Sequence, residues 1–194
     1  YTIGQVAAGI DNGRDVSQYV QITAYDFLVS TKRGTDGRAY KALDAALTRL
    51  KGTVIKTNIG VDGKSDPSVK VDRVSGWSMI DDFVYQTHNG RMVGITIKLS
   101  DRTMDAVQKK QFLTYNKSYF DLSPFGRRLY EICRKHCGKQ MQWEIKLKLL
   151  YTKFGSTAEF KEFMRMLREE ISKQAIPDYA VHIDDTKKDK KLVV

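Results

Sequence analysis

The sequence predicts an α+β fold made of two tandem winged helix-turn-helix units, residues 1–110 and 111–194, the second with its wing cut off partway. Three observations predict it. Each half holds two helix patterns joined by a tight turn. Strand-like runs with period-two alternation accompany each helix pair. The chain is also basic throughout, with 33 Lys and Arg against 23 Asp and Glu. Its 194 residues suffice for one large domain or two small ones, and 41% hydrophobic residues place it among globular chains. An all-α bundle is the plainer alternative, and the strands after each helix pair argue against it.

In the first half, Gln21–Thr23 is short and extended. Thr23 can cap a helix over 23–30 through Asp26, three residues on, with Tyr25, Phe27 and Leu28 available for burial. The polar turn Ser30–Gly37 contains Gly34 and leads to a second helix over 38–51, which stops at Gly52. A strand-like run Thr53–Ile59 follows, then a loop Gly60–Ser68 with Asp62-Gly63 and Pro67. Two longer extended runs, 69–87 and 91–99, flank His88-Asn89-Gly90, a strong hairpin signal. Val93, Ile95, Ile97 and Leu99 alternate with Met92, Gly94, Thr96 and Lys98, as in a strand with one buried face. Residues 100–122 read as a connector.

The second half repeats the theme. Ser123 precedes Pro124 as a cap before a first-turn proline, and Gly138 closes that helix. Met141, Trp143, Ile145 and Leu147 alternate as a short strand, and Leu147, Leu150, Tyr151 and Phe154 then switch to helical spacing that ends at Gly155. Ser156–Glu159 reads as a capping box opening a helix that runs to about Lys173. Pro177 breaks it, and Tyr179–Ile183 reads as a strand.

The net charge of +10 favours a polyanionic partner, nucleic acid before membrane. It is spread over both halves: residues 1–110 carry 16 basic and 12 acidic side chains, residues 111–194 carry 17 and 11. No apolar run approaches the roughly 18 residues of a membrane span, and no signal peptide opens the chain. It begins at Tyr1 rather than Met, as a segment of a longer protein would. Two cysteines and three histidines leave little room for a disulfide framework and point to the cytoplasm.

Two helices offer candidate DNA-binding faces. In helix 38–51, Ala39, Tyr40, Leu43, Ala46, Leu47 and Leu50 form a core stripe, and the opposite arc carries Arg38, Lys41, Ala42, Ala45, Thr48 and Arg49. Small residues let a helix approach a groove floor, while flanking cations reach guanine edges or phosphates. Arg33, in the preceding turn, joins this set. In helix 156–173 the core stripe is Phe160, Phe163, Met164, Leu167 and Ile171. One flank holds Lys161, Arg165, Arg168 and Ser172, the other Glu159, Glu162, Glu169 and Glu170. That pattern suits a phosphate-facing side or, equally, a solvated face with i,i+4 pairing such as Glu169–Lys173. Lys187 and Lys188, beyond the strand 179–183, are either a wing tip over the phosphate backbone or part of a charged tail.

Catalytic chemistry has little support. Cys133, His136 and Cys137 lie at i, i+3 and i+4, but a structural zinc site needs a fourth ligand, and nothing nearby supplies it. These residues are expected to be structural, with no metal. Phosphate-loop, nucleophile-elbow and zincin motifs are absent, as is any paired-histidine motif near Tyr19 or Tyr115. Neither an enzymatic activity nor a cofactor is expected.

Two segments are similar to bacterial plasmid replication initiators of the replication initiator protein A family. They are Gly37–Ile59, GRAYKALDAALTRLKGTVIKTNI, and Tyr119–Ser156, YFDLSPFGRRLYEICRKHCGKQMQWEIKLKLLYTKFGS, with Pro177-Asp178-Tyr179 beyond. The resemblance departs at Gly126, where the family more often has an acidic residue. It implies two winged-helix domains that bind repeated duplex DNA sites at a plasmid origin. It further implies duplex opening, recruitment of host replication helicase and initiator proteins, and autorepression by a homodimer, with no membrane partner. A winged-helix transcriptional repressor without a replication role would use the same face. Two unlike units in one chain favour the initiator.

Overall fold

Antiparallel pairing between distant strands organises each half of the chain. The structure, a computed structural model, describes residues 1–57, 75–184 and 191–194. The expected loop Gly60–Ser68, the start of the run 69–87, and Lys187 and Lys188 lie outside the described residues. The backbone packs as two units, Tyr1–Phe112 and Leu113–Val194, each around its own apolar core. Both are mixed α/β.

The first unit runs α1 (Thr2–Asp11), β1 (Tyr19–Thr23), α2 (Ala24–Ser30), α3 (Gly37–Gly52), β2 (Ile55–Thr57), β3 (Ser75–Trp77), β4 (Ile80–His88), β5 (Arg91–Leu99) and α4 (Asp101–Gln108). β1, β5 and β4 form one antiparallel sheet in that order, and β2 pairs with β3. Thr23 caps α2 as expected, its hydroxyl accepting from the Asp26 amide at 3.0 Å. The β4–β5 turn places Asn89 at φ 49° and Gly90 at φ 71°, the left-handed pair that a two-residue hairpin turn requires.

Two helices arise where none was expected. Residues 100–122 are more than a connector: Ser100 caps α4 through the Thr103 amide, and α4 buries Met104 and Val107. α1 places Ile3, Val6, Ala7 and Ile10 against the same core. The alternation in β5 also breaks. Ile95, Ile97 and Leu99 are buried, but Met92 is buried and Val93 is exposed. Gln86 pairs with Gly94 while Thr87 pairs with Met92, so Val93 is the extra residue of a β-bulge. Because strand side chains alternate with period two, one inserted residue reverses every side chain beyond it.

The second unit opens with a 3-10 turn at Lys117–Asp121. It continues with α5 (Pro124–His136), β6 (Glu144–Lys146), α6 (Leu147–Phe154), α7 (Phe160–Ser172), β7 (His182–Asp184) and β8 (Lys191–Val193). The sheet order is β6-β8-β7. Lys191–Val193 pairs with both β6 and β7 as the central strand, with Leu192 fully buried. Of the expected strand 179–183 only His182 and Ile183 lie in β7, and Tyr179 donates its hydroxyl to the Gly138 carbonyl at 3.0 Å. The capping box at Ser156–Glu159 does not form. Ser156 instead accepts from the Ala158 amide, and Tyr151 donates to the Ala158 carbonyl, so the helix starts only at Phe160.

Gly126 fits α5 for a reason that lies on another helix. It is the third helical residue after the Ser123 cap, where a capping box would carry an acid. Glu170 of α7 supplies that carboxylate across the fold. It is buried, accepts from the Ser123 hydroxyl at 2.9 Å and pairs with Lys173 at 2.9 Å. A Cβ on residue 126 would collide with the Glu170 carboxylate. Gly126→Ala gains at most about 1 kcal/mol of helix propensity but overpacks a pinned group, at about 1–3 kcal/mol. Urea unfolding should therefore show net destabilisation. Combined with Glu170→Ala, the cost should fall below the sum of the single effects. A stabilised Gly126→Ala variant would contradict this packing.

Candidate nucleic-acid interface

The geometry of the α2–α3 turn fixes where its cations lie. α2 ends at Thr31, and Lys32 adopts a left-handed φ of 54°. The Lys32 amide bonds to the Val29 carbonyl and the Arg33 amide to the Leu28 carbonyl, at 3.0 and 2.8 Å. This pair of reversed bonds closes the helix and locks the backbone of Arg33. The buried Thr31 hydroxyl adds a 2.7 Å bond to the Phe27 carbonyl. Five residues after Thr31, Asp36 caps α3, accepting from the Ala39 amide at 2.9 Å.

α3 then presents two faces. Leu43 and Leu47 are buried, with Ala39, Tyr40 and Leu50 packed beside them. Ala46, assigned to the core by its spacing, is exposed, because the apolar stripe there is only as wide as its leucines. Arg38, Lys41, Ala42, Thr48 and Arg49 are exposed and Ala45 half-buried, so the predicted arc is assembled on one side. From Arg38 to Arg49 it extends about 16 Å along the helix. Thr48 donates its hydroxyl to the Asp44 carbonyl at 3.1 Å and keeps only acceptor capacity.

The electrostatics of this face set it apart. Among the described residues, Arg33, Arg38, Lys41 and Arg49 have no ion-pair partner. Lys51, on the next turn, is taken up by Asp82 at 2.7 Å, and that ammonium holds the Asp82 carboxyl below its ordinary range. An unpaired cation row keeps its full attraction for phosphates, whereas a paired one must first give up its partner. Arg91, at the foot of the β4–β5 turn, is exposed and also unpaired among the described residues. The sequence reading did not single it out, although a cation beside an Asn-Gly turn was a visible signal.

α7 behaves differently. Phe163, Met164 and Leu167 are buried, and Lys161, Arg165 and Arg168 are exposed on one side. The two expected flanks are not segregated. Arg165 forms a forked pair with Glu162, at 2.7 Å for the shortest contact, and reaches Glu169 at 3.0 Å. Its guanidinium is stabilised further in the charged form, and Glu162 is correspondingly lowered. The i,i+3 and i,i+4 spacing of these residues already implied contact. Lys161 and Arg168 are left as the cations of α7 without a carboxylate partner among the described residues.

The sequence profile described as replication initiator protein A matches residues 1–181. The chain belongs to that family. A chain of Wigglesworthia glossinidia brevipalpis named as a replication protein is 36% identical over 183 residues. That match covers 93% of this chain and 66% of the relative, so the chain spans just under two thirds of the relative's length. A crystal structure of domains 2 and 3 of RctB superposes with a TM-score of 0.70 at 11% identity, covering 98% of this chain and 77% of that one. A second structure of the same RctB domains gives 0.65 at 10% identity, covering 98% and 76%. At these identities the likeness is one of fold.

The histidine and cysteines of this family member's α5 do not converge. Cys133 and Cys137 are buried, and burial pushes the Cys133 thiol up to about 12. His136 turns outward and stacks on Trp143, with ring centroids 5.2 Å apart and planes 10° apart. Among the described residues no cluster of three His, Cys, Asp or Glu could hold a metal ion. Burial first, then the Lys153 and Lys135 ammoniums, hold the His136 imidazole below its ordinary range. The unfolded chain therefore takes up this proton before the folded one. Stability should decline as pH falls below about 6.5, the unperturbed value, and the decline should stop below the folded-state pKa. His136→Gln should flatten that part of the profile in urea titrations between neutral and mildly acidic pH. An unchanged slope would contradict this placement of His136.

Proposed function

We propose that this chain initiates plasmid replication by binding repeated duplex DNA sites at an origin. Each unit acts as a winged helix-turn-helix module, with α3 and α7 as its reading helices and the β4–β5 and β7–β8 hairpins as wings. The single observation that carries this reading is the α3 face, where exposed Arg38, Lys41 and Arg49, with Arg33 beside them, lack carboxylate partners among the described residues. Small side chains at Ala42 and Ala45 leave room for close approach to a groove floor. The shared order of helix, strand, helix, helix and hairpin supports equivalent use of the two units.

The units differ in what they bring to DNA. α3 offers an open cation row, suited to strong attraction and guanine contacts. α7 offers Lys161 and Arg168 to phosphates, while Arg165 enters already oriented by Glu162 and Glu169. An arginine held this way loses less conformational freedom when it meets a base edge, and its carboxylates oppose casual phosphate contact. Lys187 and Lys188 serve as phosphate contacts in the same reading.

Family membership favours the initiator over a transcriptional repressor without a replication role. On that basis the chain works in the cytoplasm by binding rather than by catalysis. It helps to open the duplex, recruits host replication helicase and initiator proteins, and represses its own gene as a homodimer. Footprinting on the native origin tests the reading, with protection of phased repeats as the expected result. Arg49→Ala should cost about 1–3 kcal/mol in duplex affinity and relax specificity at one base position. An unchanged binding-site preference at full affinity would remove α3 from the reading role.

A further inference from the structure

A cleft in the second unit gathers cations that neither the core nor the proposed reading helices use. Its volume is about 240 Å³, and its walls include Tyr115, Arg128, Glu131, Lys135, His136 and Lys153. α5 contributes Arg128, Glu131 and Lys135 at spacings of three and four residues, which places them on one helix face. α6 contributes Lys153 from its last turn.

The charges are unequal. Glu131 is the one carboxylate among the described lining residues, and it is already engaged. It accepts from the Tyr119 hydroxyl at 2.7 Å and pairs with Arg128 at 3.1 Å. The other arm of Arg128 donates to the Lys153 backbone carbonyl at 2.6 Å, tying α5 to the end of α6. Lys135 and Lys153 have no carboxylate partner among the described residues. Both ammoniums act on the imidazole of His136, which stacks on Trp143. Arg128, Lys135, Lys153 and the His136 imidazole thus line one concavity whose carboxylate, Glu131, is already paired. A compact dianion completes such a site. It accepts from the two ammoniums and the imidazole, and the Tyr115 ring at the rim offers a surface for a base.

We propose that this cleft binds the phosphate group of a nucleotide. A free nucleotide and a nucleic-acid strand present the same phosphate chemistry, and the arms of the experiment separate them. The full chain is titrated with inorganic phosphate, with ATP and with a short single-stranded oligonucleotide. The His136 ring protons, assigned by comparison with His136→Gln, and Trp143 fluorescence report occupancy. Binding should move both signals and raise the pH midpoint of His136, because an anion now faces Lys135, Lys153, Arg128 and Glu131 beside it. Lys135→Gln with Lys153→Gln should weaken binding about 100-fold, at about tenfold for each charge-assisted contact. Lys153→Arg, which keeps the charge, should retain it.

A response to inorganic phosphate supports the shared phosphate site, and a response to ATP assigns a free nucleotide. A response to the oligonucleotide alone assigns a strand, and either supports the proposal. Absence of a His136 response to all three probes, or a response that survives the double substitution in a chain with unchanged circular dichroism, overturns it. Duplex binding and its weakening in Arg49→Ala, measured on the same samples, keep this outcome separate from that of the α3 interface.

Discussion

In each unit the strand that precedes the helix pair is bonded to the last strand of the hairpin that follows it. Tyr19–Thr23 lies along Gly94–Lys98, and Glu144–Lys146 lies along Lys191–Val193. These are the strand pairings between the partners farthest apart in sequence in each unit, and they bury Val20 and Ile22 with Ile95 and Ile97, and Ile145 with Leu192. The helices take their positions from them. α2 begins at the residue after β1, and α6 at the residue after β6. With those starts fixed, the turn at Lys32 and the left-handed Gly155, φ 67°, set where α3 and α7 emerge. The apolar stripe of each helix then turns inward and its cations outward.

Electrostatics then separates faces that look alike on a helical wheel. α3 and α7 both present a basic row opposite an apolar stripe. On α7 the central arginine is neutralised by two glutamates of its own helix, and a third, Glu170, is drawn inward to accept from the Ser123 hydroxyl that caps α5. On α3 the exposed cations have no carboxylate partner among the described residues, while Asp82 holds Lys51 and Asp36 caps the helix. Net charge alone does not reveal this difference. What matters for a polyanion is how much of the charge is uncompensated at the surface.

Local signals in the sequence were read well where capping or turn chemistry decides alone. The Thr23 and Ser123 caps, the Asn89-Gly90 turn and the Gly155 stop all appear in the fold as the residues imply. The α3 arc was equally legible, apart from Ala46. Readings failed where a distant partner intervened. Val93 changed face because a bulge depends on both strands, and Ser156 turned to Ala158 because Tyr151 holds that carbonyl. Gly126 is explained only by a glutamate on another helix. α1 and α4 were missed for a plainer reason. Their apolar spacing, Ile3, Val6 and Ile10 in the first case, was present but stood outside the repeat that organised the reading. The cleft around Lys135 and Lys153 was invisible, since its walls come from two helices.

The claim most exposed to test is that uncompensated charge on α3 makes it the primary contact with duplex DNA. Side-chain footprinting reads this directly. The full chain is treated with lysine- and arginine-selective reagents with and without an origin repeat, and modification is read by mass spectrometry. The account predicts strong protection of Arg33, Arg38, Lys41 and Arg49, with Lys110, paired to Asp11 away from this face, reacting at its free rate. Protection elsewhere, with the α3 cations as reactive in the complex as in the free chain, would contradict it.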